Sequence, residues 1–203
     1  MLDSCLGTTA WMLGIAIILR EATFFGRDVL PDAIGDWTAT LPLVAALHPP
    51  FEPVDLASHA AVAVAAAATV TGLRSALLES WPDFRAATDR SNRQVLAPLT
   101  VGDLVTVSAL PAVAEEALFR GCVIPALGGG PVGVIVSGMT FGALHVGGGR
   151  NVAFAAWASA VGCLYGACAV GCGDVSVAIA AHAMANYASA TMWLEKNPDV
   201  KLR

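Results

Sequence analysis

Apolar runs of near-spanning length alternate along the chain with short polar or glycine-rich breaks, a pattern that predicts helices throughout. The first run, Cys5 to Leu19, ends at Arg20 and Glu21. It is slightly short for a membrane span, which predicts a helix only partly inserted. Glu21 to Asp55 gathers many of the acids and the prolines Pro31, Pro42, Pro49, Pro50 and Pro53. That composition predicts an irregular connection with an interfacial helix near Trp37 to Leu47. Leu56 to Leu73 is an alanine and valine run with only His59 as a titratable group, so a weakly hydrophobic spanning helix packed through small residues is expected. Arg74 to Arg93 holds Arg74, Glu79, Asp83, Arg85, Asp89, Arg90 and Arg93, and is expected in water or at the headgroups.

The second half divides into four predicted helices: Val101 to Leu127 with a kink at Pro111, Pro131 to Val146, Val152 to Val170, and Val175 to Trp193. Between them lie the turns Gly128-Gly129-Gly130-Pro131, Gly147-Gly148-Gly149-Arg150 and Gly171-Cys172-Gly173-Asp174. The fold class is therefore all-α: a polytopic helical membrane protein with about six hydrophobic helices, forming one membrane domain over residues 1–203.

Composition agrees with lipid as the main solvent. The 203 residues are 56% hydrophobic and 13% charged, with a mean hydropathy of +0.67. A net charge of -5 without a basic block removes the electrostatic footprint of a nucleic-acid binder. Cys5, Cys122, Cys163, Cys168 and Cys172 form no CxxC pair, against both a zinc knuckle and a disulfide framework, and read as small apolar fillers. Cys168 and Cys172, four apart, keep redox pairing as a minor option. Asp3 stands where a secretory signal needs a positive start, so the first run reads as a helix.

Charge placement supplies the chemistry. From Leu104 to Trp193 the charged residues are Glu115, Glu116, Arg120, Arg150 and Asp174, three of them within one six-residue window. Each charge in hydrocarbon costs at least ~2.5 kcal/mol on insertion scales, so the cluster needs a reason. Glu116 and Arg120 share a helix face and can pair, whereas Glu115 points roughly 100° away. His145 ends the second of these helices, and His182 and Asn186 sit side by side at a spacing of four. Taken singly, each set also fits a structural clasp, a capping histidine or an interhelical clamp. Together they supply a general base, two imidazoles and an amide donor, an inventory for hydrolysis.

These residues resemble the CPBP family of intramembrane proteases, also called the CAAX amino-terminal protease family. The pattern EExxxR is matched by Glu115, Glu116 and Arg120, FxxxH by Phe141 and His145, and HxxxN by His182 and Asn186, in order on successive apolar segments. The resemblance covers a catalytic core over residues 101–193. It implies that Glu115 and His145 activate the attacking water, that His182 and Asn186 form the oxyanion hole, and that Glu116 and Arg120 hold the site together. It implies a membrane protein or lipidated peptide as substrate, in contact with the lipid bilayer, and sets no oligomeric state. The run Leu144 to Arg150, followed by Phe154 to Ser159, looks like the plant and algal plastid branch, which implies a plastid (chloroplast) membrane. The motifs require no cofactor. Glu, His and His could ligate zinc with a water in the fourth position, and a metal-free glutamate mechanism is the preferred reading. The rivals are a non-proteolytic membrane scaffold or immunity-type protein that keeps the fold, and a small transporter using buried Glu, His and Arg as an ion path.

Overall fold

The computed structural model describes residues 2–29, 56–200 and 202; the interfacial helix expected near Trp37 to Leu47 lies outside them. Among the described residues the architecture is all-helical. Helix α1 spans Leu2–Val29, α2 Leu56–Ser80, α3 Pro82–Leu96, and α4 Asp103–Leu118. A π turn, Phe119–Val123, carries α4 on into a last turn, Ile124–Ala126. Helices α5 Pro131–Ala143, α6 Val152–Cys172 and α7 Val175–Lys196 complete the bundle.

Several boundaries differ from expectation. The first helix is longer than Cys5 to Leu19, and its Leu2–Ala22 part is long and apolar enough to cross a bilayer, as are α2 and α6. Helix α5 is apolar but shorter. The charged segment after Leu73 is largely helical: α2 continues to Ser80 and carries Arg74 with it. Alanine, leucine and serine around Arg74 keep the helical hydrogen bonds running past the charge. Pro111 sits inside α4, where it deprives the Val107 carbonyl of its i+4 donor, but the change of helix type comes at Phe119–Val123. There the Ile124 N–H reaches back to the Phe119 carbonyl, which also accepts the Ser137 hydroxyl from α5 at 3.1 Å.

Outward-facing side chains are apolar: Trp11 is 76% exposed, and Leu56, Val132 and Leu144 are comparably open. Such a surface suits hydrocarbon, where every backbone polar group must be satisfied within the helices. With lipid outside, small residues that allow close approach drive helix packing. Ala63, Ala66, Ala67 and Val70 of α2 meet Val177, Ala178, Ala181 and Ala185 of α7 in one cluster with Tyr165. His59 Nδ1 lies 2.9 Å from Asp174 Oδ2 at the start of both helices, so α2 and α7 run parallel. Asp174 also caps α7, accepting the Ser176 N–H at 2.8 Å.

Helices α5 and α6 touch most closely at Gly138, Gly142 and Gly162. A Cβ at Gly142 would overlap the Ser159 hydroxyl and stand 2.5 Å from the Ala155 carbonyl and 2.7 Å from the Ser159 nitrogen. Two of these obstacles are backbone and cannot rotate away. Gly142→Ala is therefore expected to cost about 1–3 kcal/mol, read as a lower thermal unfolding midpoint of the detergent-purified protein.

Candidate active site

Glu115 and Glu116 leave α4 in different directions, and their surroundings differ accordingly. Glu116 is fully buried and Arg120 is 2% exposed. Arg120 Nη1 donates to Glu116 Oε1 at 3.1 Å, and Nε lies 3.0 Å from Oε2, an ion contact without hydrogen-bond alignment. Arg120 Nη2 donates to the Gly162 carbonyl at 2.9 Å, and the guanidinium carbon stands 4.7 Å from the Phe141 ring centroid. The pair that the four-residue spacing predicts is thus present and ties α4 to α6. Buried this way, the two charges stand or fall together.

His182 joins that pair to its neighbour. Its Nδ1 lies 2.8 Å from Glu116 Oε1, and its Nε2 is 3.9 Å from Glu115 Oε2. A carboxylate accepts, so the partner places the proton on Nδ1 and turns Nε2 toward Glu115. Glu116 therefore orients an imidazole as well as pairing with Arg120, a link that the sequence pattern alone does not reveal. Tyr165 stacks on the His182 ring with centroids 5.3 Å apart and limits its rotation.

His145 follows the end of α5, where its Nδ1 lies 2.7 Å from the Phe141 carbonyl. A carbonyl also accepts only, so Nδ1 carries the hydrogen and Nε2 keeps its lone pair. Phe141 supports the ring directly, with centroids 4.4 Å apart. The chain then turns through Gly147, Gly148 and Gly149, all at positive φ (124°, 57° and 87°), which side chains rarely adopt. Helix α3 clamps that loop: Arg90 Nε donates to the Gly149 carbonyl at 3.0 Å, and Arg150 Nε to the Ser91 hydroxyl at 3.1 Å.

Glu115, His145, His182 and Asn186 all line one cavity of about 440 Å³, a volume suited to a small ligand or a short peptide segment. Glu116 and Arg120 stand behind its wall. Asn186 Nδ2 donates to the Ser108 carbonyl at 3.3 Å, which leaves its second amide hydrogen for another acceptor. Ser4, Thr8 and Thr9 of α1 add hydroxyls to a lining that also holds Met12, Val70 and Phe141. Arg74, Asn92 and Tyr165 also line it, though no motif marks them and the sequence pattern places Arg74 in water or at the headgroups.

Residues 97–188 match the family model of type II CAAX prenyl endopeptidase, Rce1-like. That segment is similar to the CAAX prenyl endopeptidases. It contains every one of the six polar residues described above, from Glu115 to Asn186, and supports a membrane-embedded peptidase. No curated protein and no solved structure gives a match.

The zinc alternative is judged on the donors. Both histidines have Nδ1 engaged, by the Phe141 carbonyl and by Glu116, and keep Nε2 free, as metal-ligating histidines also do. Among the described residues, no three of His, Cys, Asp and Glu are grouped closely enough to hold a metal ion. The spacing of these donors, and not their chemistry, falls short of a zinc site.

Proposed function

We propose that the protein is a glutamate-type intramembrane endopeptidase that cleaves membrane-associated protein substrates. The observation carrying this reading is the split of the two adjacent carboxylates: Glu115 faces the cavity beside His145 and His182, while Glu116 is spent on Arg120 and His182 behind it. A water held between Glu115 and the free Nε2 of His145 loses a proton to Glu115 as its oxygen attacks the peptide carbonyl carbon. The carbonyl oxygen then carries negative charge. The free amide hydrogen of Asn186 donates to it, joined by His182 when Nε2 is also protonated. Collapse of the tetrahedral intermediate breaks the carbon–nitrogen bond, and Glu115 returns the proton to the departing amine.

The low-dielectric surroundings strengthen each of these interactions relative to water. Asn186→Ala removes one donor to the oxyanion, so kcat is expected to fall about 10²–10³-fold with KM little changed. Steady-state kinetics on a quenched peptide in detergent reads the split. An equal rate would remove Asn186 from the mechanism. The run Leu144 to Arg150 supports a plastid membrane as the location, which a fluorescent fusion imaged in a photosynthetic cell tests.

A further inference from the structure

After the turn through Gly147, Gly148 and Gly149, Arg150 enters the lining of the cavity that holds Glu115 and His145. It falls in none of the three motifs, and the hydrolysis described above gives it no part. Its guanidinium is held on two sides. Nε donates to the Ser91 hydroxyl of α3 at 3.1 Å, and the central carbon stands 5.0 Å from the centroid of Phe154, a ring that also stacks on His145 at 6.3 Å. Among the described residues its two terminal nitrogens have no partner. Burial pulls the Arg150 guanidinium below the usual arginine range, and the charge of Glu115 pulls it back up. The charge of Arg150 acts in turn on His145. No ion pair joins Arg150 to Glu115 among the described residues; the ion contact of Glu115 is with His182. Glu115 exerts no such pull on Arg74, the other guanidinium in the lining. A fixed guanidinium with unspent donors, coupled to a carboxylate and an imidazole that it does not bond, leaves room for a small acceptor between the three.

We propose that Arg150 is a further catalytic residue that donates an N–H to the oxygen of the attacking water, an inference that rests on the peptidase reading. The bonding of that water calls for such a donor. The Glu115 carboxylate and the Nε2 lone pair of His145 both accept, so they take its two hydrogens. One lone pair of the oxygen attacks the peptide carbonyl carbon, and the other is left without a donor. Arg150 fills that fourth position and so fixes the direction of the attacking pair. It gives up no proton. As the carbon–oxygen bond forms, one water hydrogen passes to Glu115 and the π pair moves onto the carbonyl oxygen. The guanidinium stays charged and stabilises the hydroxide character that the water oxygen acquires on the way. Asn186 and His182 serve the carbonyl oxygen, so the two oxygens of the tetrahedral intermediate have separate donors.

The test is calorimetric titration of the full-length purified protein with two analogues of N-acetyl tetraalanine amide. In one a hydroxyethylene group replaces the central peptide bond, and in the other the same group lacks its hydroxyl. The hydroxyl takes the place of the water oxygen. The parent is expected to bind the hydroxyl compound at least about tenfold more tightly, and Arg150→Met should bring the ratio near one with affinity for the deoxy compound unchanged. Ser91→Ala unmoors the guanidinium but keeps its charge, and should weaken the preference at least about threefold even if Arg150→Met fails to fold. Equal binding of the two compounds by the parent, or a preference unchanged in either folded variant, overturns the proposal. Equal loss of affinity for both compounds in Arg150→Met overturns it too, because a structural role weakens the two alike. Turnover is a separate readout, in which Arg150→Met should lower kcat about 10²-fold with KM unchanged. A hydroxyl preference that depends on Arg150 without cleavage would remove the peptidase reading and leave the donor standing. Cleavage by Arg150→Met at the parent kcat would do the reverse.

Discussion

Glu115→Gln is expected to lower kcat by about 10²–10⁴-fold while the helical content and unfolding midpoint of the purified protein stay at parent values. The side chain keeps its size and lines a cavity, so exchanging carboxylate for amide leaves packing alone and removes only the proton acceptor. The adjacent Glu116→Gln is expected to behave in the opposite way. Glu116 lies outside the cavity lining and its carboxylate balances Arg120. Neutralising it strands a buried guanidinium, so lost stability should precede any clean kinetic effect. A Glu116→Gln protein that folds like the parent and loses only turnover would reverse the two roles.

Arg120→Ala should be the most damaging single change to the fold. It removes the partner of a fully buried carboxylate, the donor to the Gly162 carbonyl, and the cation resting on Phe141. Breaking one half of a buried pair costs about 3–5 kcal/mol, comparable to a large share of the stability of a typical domain. Adding Glu116→Gln to Arg120→Ala should recover part of that loss, because the uncompensated charge is gone. Thermal unfolding in detergent across the two single variants and the double variant measures the recovery. A double variant as unstable as the sum of the singles would mean that the pair contributes packing and no charge balance.

The helical architecture was legible from hydropathy because lipid exposure demands apolar runs with internal hydrogen bonds, and the glycine-rich turns before α5, α6 and α7 fall where the pattern breaks. The spacing of four also exposed the Glu116–Arg120 contact, since helix geometry alone brings those side chains together. What the sequence hid depends on contacts between distant segments. Glu116 reaching His182, sixty-six residues away, has no local signature. The π turn at Phe119–Val123 was missed because Pro111 is the stronger local breaker, whereas Ser137 supplies the extra donor to the Phe119 carbonyl from another helix. Arg74 reads as a residue of water or the headgroups because charges crowd the segment after it, and its place in the cavity wall on α2 has no local signature.

Cleavage of a quenched peptide by the detergent-purified protein, beside Glu115→Gln and after exhaustive treatment with a strong chelator, tests the central claim most directly. The account predicts that the parent cuts, that chelation leaves its rate unchanged, and that Glu115→Gln is at least about a hundredfold slower. A Glu115→Gln protein that cuts at the parent rate, or a parent whose activity vanishes on chelation and returns with zinc, would contradict it.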